Sequence, residues 1–281
     1  MGCKTIWAAW LQGRHQAPKH VQRILRLWEE LNPERNLHVV DSAEADLILK
    51  RVGVNQPRIT PQVKANIVRS VLLKEQGGAW VDATLLPTAP LASWLDELME
   101  PSGFFAFRSP GDPNLVLQNW FLASEAGNPL MSKWCDYYVD YFSTIRYWDS
   151  WKRALCYGKV IDYIKYTHNV HKRNTLWFVD PKLGRDCVFY PYAAHNYNLA
   201  YLLKTDPEVR DVWSRVPAKW ASLPLLAGSL AADSETPDEA LASMHADLLP
   251  LSPVYKLNHR DKRFDVMVSK VREQLGLPSD K

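Results

Sequence analysis

Residues 60–84 read TPQVKANIVRSVLLKEQGGAWVDAT, and this stretch decides the fold. Thr60 supplies a capping hydroxyl and Pro61 fits the first helical turn, where its missing N–H is no loss. Val63, Ile67, Val68, Val71 and Leu72 then recur at the spacing of one buried helix face. Gly77-Gly78 predicts the stop, because glycine takes a left-handed conformation without a side-chain clash. Residues 79–84 read as a brief strand that carries one carboxylate, Asp82, into a loop before Pro87 and Pro90. Asn66 and Arg69, three apart, are neighbours on the helix surface, off the centre of its apolar stripe. A helix carrying Asn and Arg therefore leads straight into a strand ending in Asp.

Upstream, residues 5–10 (TIWAAW) form a short apolar run ending at Gln12-Gly13, which predicts a buried strand and a tight turn. Pro18 can occupy the first turn of the helix that follows, with Val21, Ile24, Leu25, Trp28 and Leu31 on its buried face and Asn32-Pro33 at its end. Residues 37–41 (LHVVD) read as a second strand ending in an acid. Strand, helix, strand, followed by helix and strand, is the pattern of an α/β fold. Downstream, residues 103–107 and 120–123 look like strands, with Asn119 at the mouth of the second, and residues 129–170 read as helical and rich in Trp and Tyr. Residues 230–239 (LAADSETPDE) have the composition of a flexible linker, and a helix is expected from there to Leu249. Residues 252–259 (SPVYKLNH) and a charged helix close the chain.

The chain has 281 residues, 47% of them hydrophobic, and a net charge of +3. At that length a core needs no disulfide or structural metal. The small net charge and the lack of a block of like charges argue against a nucleic-acid partner. Cys3, Cys135, Cys156 and Cys187 are widely spaced and form no zinc pattern, so they read as free buried thiols of a reducing compartment. No stretch approaches the ~20 apolar residues of a membrane span, and the first residues lack the apolar core of a signal peptide. A cytoplasmic protein, peripheral at most to the inner membrane face, is expected. Tryptophan, at 12 residues, is the compositional outlier. Its flat apolar face and single donor suit sugars and nucleobases as well as cores. GxSxG, HExxH, GxxxxGK[ST] and GxGxxG are all missing, so serine hydrolase, zincin, P-loop and dinucleotide readings lack their motif. A strand-end acid, a cation on the adjoining helix and many aromatic faces suit a nucleotide-sugar site.

The pattern Ile6-Trp7, Trp10, Gln12-Gly13, Ala17-Pro18, Val21, Trp28, Asn32-Pro33, then Arg69, Gly77-Gly78, Trp80, Asp82-Ala83-Thr84 and Pro90-Leu91, resembles the capsular polysaccharide synthesis proteins. These stand within the glycosyltransferases with a DXD sugar-binding region, a group that includes yeast-type initiating mannosyltransferases and is similar to clostridial glucosylating toxins. The resemblance runs over residues 4 to 130 and returns at 254–257 (VYKL). It implies one GT-A type domain over 1–281, an α/β Rossmann-like mixed sheet with flanking helices plus a helical, aromatic-rich acceptor subdomain. Residues 1–130 would bind the nucleotide sugar, 131–250 would form the acceptor-side insertion, and 251–281 would close the donor site. The implied activity is bacterial hexosyl transfer with retention of anomeric configuration, from a nucleotide sugar, UDP-sugar favoured, to a saccharide or lipid-linked saccharide in capsule or surface polysaccharide assembly. Other capsule-assembly enzymes are the implied protein partners.

Carried onto this sequence, the resemblance places Trp10 on the donor base with Gln12 beside it. Arg69 would meet the donor sugar or its phosphates, and Asn66 stands where the wider group has an Asp that binds sugar hydroxyls. Trp80 would wall the pocket, Asp82 would be the first acid of DXD, and Asn119 would reach the sugar. Lys256 would contact the diphosphate, and His259 with Asp82 would complete a Mn²⁺ or Mg²⁺ site. Thr84 replaces the second acid of DXD, and a neutral hydroxyl is a weak ligand for such ions. Without the metal, Arg69 and Lys256 must stabilise the departing diphosphate. In a retaining front-face mechanism the leaving phosphate takes the acceptor proton, so no protein base is named. The alternative is a catalytically silent protein that binds nucleotide sugar or glycan.

Overall fold

A computed structural model describes residues 4–55, 59–143, 157–187, 189–226, 249–257 and 264–278. Its first half alternates as expected. Strand β1 (Thr5–Ala9) leads through a turn to α1 (Lys19–Leu31), then β2 (Asn36–Val40), α2 (Ser42–Arg51), α3 (Pro61–Gln76) and β3 (Gly78–Val81). The short β4 (Leu85–Pro87) and α4 (Leu95–Met99) precede two longer strands, β5 (Phe104–Arg108) and β6 (Leu117–Ser124). The main sheet has the order β2-β1-β3-β6-β5. β1 runs parallel to both β2 and β3, while β6 pairs antiparallel with β3 and β5. This is the α/β pattern read from the elements, and the mixed sheet with flanking helices that the resemblance implies.

Local chemistry fixes the joints. Thr60 caps α3 by accepting from the Val63 N–H at 3.3 Å. Asp41, read from sequence only as the acidic end of a strand, caps α2 by accepting from the Glu44 N–H at 2.9 Å. The helix it starts, α2, was not foreseen, because its short apolar set interrupted by Glu44, Asp46 and Lys50 gives a weak periodicity. Gly77 ends α3 at φ 66°, ψ −162°, and Gly78 opens β3 at φ 108°. Both angles are positive as expected, but the Gly77 ψ lies outside the left-handed helical region. The extended positive-φ geometry is one that essentially glycine alone adopts.

Alternation along the strands sends neighbouring residues to opposite faces. Ile6, Ala8, Ala79, Val81, Phe105 and Phe121 pack on the α1 side, whereas Trp7, Trp80, Phe104 and Leu122 pack on the α2–α3 side. Trp7 and Trp28, expected in the core, are both buried there, on opposite faces of the sheet. Trp28 donates to the Leu85 carbonyl at 2.8 Å, and Trp7 donates to that of Gly77 at 2.8 Å. Asn32 does more than stop α1: it is fully buried, its amide donates to the Trp28 carbonyl at 2.9 Å, and its Oδ1 accepts from the Leu91 N–H at 2.8 Å. Asn32→Ala leaves both backbone groups buried without these partners. It should destabilise the protein by about 2 kcal/mol in urea unfolding; a loss under about 0.5 kcal/mol would show that the bridge contributes nothing.

The aromatic region forms a second apolar layer over the α3 face. Helix α5 (Pro129–Ser143) buries Trp134, Tyr138 and Tyr141, and α6 (Tyr157–His171), α7 (Ala194–Thr205) and α8 (Pro207–Arg215) follow. Tyr163, by contrast, is exposed. Trp148, Trp151, the linker reading at 230–239 and nearly all of the helix expected up to Leu249 lie outside the described residues. The chain then returns in β7 (Val254–Lys256), which pairs antiparallel with β4 and sets Lys256 opposite Leu85, and ends in α9 (Phe264–Gln274). Cys135 and Cys187 are buried; Cys3 and Cys156 lie outside the described residues. Among the described residues no helix is long and apolar enough to cross a membrane.

Candidate functional site

The carboxyl ends of β1 and β3 mark the place where the chain turns to either side of the sheet. From β1 it passes through α1 to β2 on one flank, and from β2 it passes through α2 and α3 to β3 on the other. Such a switch point leaves a crevice at the strand ends. A cleft of about 520 Å³ opens there, within the usual range for small-molecule sites. Trp10 and Gln12 border it after β1, Asn66 and Arg69 from α3, Asp82 after β3, Asn119 from β6, and Lys256 from β7. Seven of the sequence-selected positions therefore meet in one cavity. Two cations face one carboxylate among these lining residues, an excess of one positive charge.

Arg69, only 5% exposed, organises the floor. Its guanidinium donates to the Asn119 carbonyl and, at 3.2 Å, to Asp82 Oδ1, and it lies over the Trp80 ring at 4.9 Å. Burial lowers its pKa, and the Asp82 charge acts in the opposite sense; a guanidinium stays charged at any physiological pH. Asp82 also accepts from the Trp80 indole at 3.3 Å, and its Oδ2 lies 3.5 Å from Lys256 Nζ. Burial opposes its ionisation, but Lys256, Arg69 and the indole outweigh that and hold the carboxyl below its ordinary range. Asp82 is thus ionised at neutral pH. Lys256 Nζ donates to Thr84 Oγ1 at 2.5 Å and to the Leu257 carbonyl at 3.2 Å.

Two expected positions are corrected. Trp80 does not wall the cleft: it is 1% exposed, because β3 turns it toward α3, where Arg69 covers it. Its part is to support Arg69 and Asp82 from below. Thr84 is likewise buried and off the cleft surface, with its hydroxyl given to Lys256. Asn66 and Arg69, expected beside the apolar stripe, are both buried, since α5 packs over that side of α3 and brings Tyr138 beside them. His259 lies outside the described residues.

The structure adds residues that the sequence did not mark. Gln118 and Trp120 of β6, Tyr192 in the turn before α7 and Asn196 in its first turn line the cleft. Asn196 accepts from the Leu117 N–H at 3.2 Å and donates to Asn119 Oδ1 at 3.5 Å, so it orients the β6 edge of the site. Tyr192 is 85% exposed and open to a ligand. No motif surrounds these positions; they reach the site only because α7, packed on α5, carries Asn196 to β6. Behind Arg69, His195 is fully buried, meets Ser70 Oγ at 2.9 Å and stacks on Trp134 at 4.1 Å. Burial, with Arg69 nearby, keeps this imidazole neutral.

Among the described residues, the donor set at Asp82 does not fit a divalent cation. Such ions require several oxygen ligands, carboxylates foremost. Here both Asp82 oxygens already face cations or the indole N–H, and the Thr84 hydroxyl accepts from an ammonium. Among the described residues no group of three His, Cys, Asp or Glu is placed to hold a metal ion.

The fold and cleft define an α/β protein with a cationic, aromatic-edged cavity at the carboxyl ends of its parallel strands. The model of the capsular polysaccharide synthesis protein family matches residues 1–151, and the chain belongs to that family. It is 28% identical over 102 residues to the initiation-specific alpha-1,6-mannosyltransferase of Candida albicans, covering 33% of this chain and 26% of that protein. It is 26% identical over 155 residues to the O-glycosyltransferase braB of Annulohypoxylon truncatum, covering 47% of this chain and 36% of that one. The chain thus spans about a quarter to a third of the length of these relatives. Among solved structures, the PaToxG glycosyltransferase aligns with a TM-score of 0.33 and 13% identity, over 70% of this chain and 84% of the other.

Proposed function

We propose that the protein is a glycosyltransferase that moves a sugar from a nucleotide-sugar donor, a UDP-sugar in the first instance, to a saccharide or lipid-linked saccharide acceptor in capsular or surface polysaccharide synthesis. The observation that carries this reading is the Arg69–Asp82–Lys256 cluster on the floor of a nucleotide-sized cleft. Family membership and the two glycosyltransferase relatives support it. Trp10 offers a ring to the donor base with Gln12 at the same edge. Arg69 and Lys256 face the diphosphate, Asp82 accepts from a donor hydroxyl, and Asn66 and Asn119 reach the sugar. Tyr192, at the open side, suits the acceptor. In a retaining front-face reaction the bond from the anomeric carbon to the diphosphate breaks, a bond to the acceptor oxygen forms, and the acceptor proton passes to the leaving phosphate. The cationic pair lowers the barrier by meeting the charge that grows on that phosphate.

A thermal-shift panel of UDP- and GDP-sugars tests the assignment, since a ligand that binds the folded state raises its stability with ln(1 + [L]/Kd). At least one donor should raise Tm by several degrees at about 100 Kd and be consumed when saccharide acceptors are added. A panel with no shift would sink the reading. Binding without turnover on any acceptor would favour the catalytically silent alternative, which Thr84 in place of an acid makes worth testing.

A further inference from the structure

We propose that Lys256 takes the place of the divalent cation in this cleft, so that its ammonium, held between Asp82 and Thr84, meets the ligand's diphosphate and binding proceeds without metal. This rests on the reading of the cleft as a diphosphate site. Three oxygens of different kinds surround Nζ: the Thr84 hydroxyl at 2.5 Å, the Leu257 carbonyl at 3.2 Å and Asp82 Oδ2 at 3.5 Å. An ammonium has three N–H donors. The first two are used at hydrogen-bond length, while the third faces a carboxylate oxygen at a length too great for a good bond. It can turn to a phosphate oxygen in the cleft that Lys256 lines.

The backbone holds the lysine in this position. Lys256 pairs with Leu85 in the β4–β7 ladder, and the Leu257 N–H donates to the Thr84 carbonyl at 3.1 Å. The residue that would be the second acid of a metal site is therefore bound, through backbone and side chain, to the residue that brings a positive charge. Thr84 suits that arrangement. A hydroxyl is a sufficient acceptor for an ammonium but a poor ligand for Mg²⁺ or Mn²⁺. A metal ion within bonding distance of Asp82 Oδ2 and Thr84 Oγ1 would also stand against Nζ and Arg69, with like charges on both sides. With Arg69 on Asp82 Oδ1 and Lys256 near Oδ2, the cluster supplies from its own side chains the positive charge that a cation would bring.

The test uses the full chain and three probes, UDP, GDP and inorganic pyrophosphate, titrated calorimetrically in EDTA and again in excess Mn²⁺. Mn²⁺ alone is titrated by electron paramagnetic resonance. The expected result is no specific Mn²⁺ site and diphosphate affinities that change less than about threefold between the two conditions. Lys256→Met should weaken UDP or GDP binding by about tenfold or more, because a charge-assisted hydrogen bond is lost. Lys256→Arg, which keeps the charge, should retain most of the affinity. Diphosphate binding that requires Mn²⁺ would overturn this inference and leave the glycosyltransferase reading standing. A Mn²⁺ site in the wild type that disappears in Asp82→Ala or His259→Ala would do the same. If none of the three probes binds in either condition, the donor-site reading and this inference fall together.

Discussion

Asp82→Asn is expected to lower sugar transfer by about 10²–10³-fold with the fold retained, the scale seen when one preorganised electrostatic contact is removed from a reacting centre. The carboxylate is the shared counter-charge of Arg69 and Lys256, and it receives the Trp80 indole as well. Without it the two cations repel each other, and a donor hydroxyl loses its charged acceptor. Anion binding should move the other way. The cleft then carries two uncompensated positive charges, so pyrophosphate affinity, measured by calorimetry, is held or raised while turnover falls. Transfer at the wild-type rate would sink the role given to Asp82, and loss of pyrophosphate binding with a melted chain would make its part structural. The pH dependence follows from the depressed carboxyl pKa of Asp82. A carboxylate whose folded pKa lies below its unfolded value adds stability that is present above about pH 4 and is lost as the pH falls through the folded value. The stability gap between wild type and Asp82→Asn should therefore be level between about pH 5 and 8 and close under stronger acid.

Gly78→Ala should have the largest effect on the fold, about 4 kcal/mol or more, enough to remove much of the stability of a typical domain. A methyl group there would sit 2.5 Å from the Thr5 carbonyl oxygen and 2.9 Å from the Trp7 indole nitrogen. Neither can retreat: Thr5 is held in β1 between two strands, and the Trp7 N–H is bound to Gly77. The positive φ of 108° adds strain for any other residue. Gly13→Ala is the control, since Gly13 has φ 91° but no atom within 4 Å of its added carbon. It should cost about 1–2 kcal/mol, the conformational part alone. Equal Tm losses for the two variants would show that the close approach of β1 and β3 does not set the glycine requirement.

Much of the site was legible because its residues belong to short-range patterns. A capped helix, two glycines and a strand-end acid are read within residues 60–84, and their order makes Arg69 and Asp82 neighbours in any βαβ arrangement. The place of Trp80 is not legible in the sequence for a definite reason. Its neighbours cannot tell which face of the strand meets the cleft, and the alternation that faces Val81 toward α1 turns Trp80 under Arg69. By sequence alone Thr84 is a weakened metal ligand, a description that holds only until Lys256 arrives across 172 residues of sequence.

The sequence by itself determined the α/β class, the helix and strand that frame the cleft, and the family, since each depends on periodicity, capping and contiguous motifs. Only the tertiary structure decided that Asn196 and Tyr192 join the site and that β7 carries Lys256 to the Asp82–Thr84 loop. Those contacts close long loops of chain. They depend on α7 bringing Asn196 to β6 and on β4 finding its partner strand, and no local preference of the residues involved records either event.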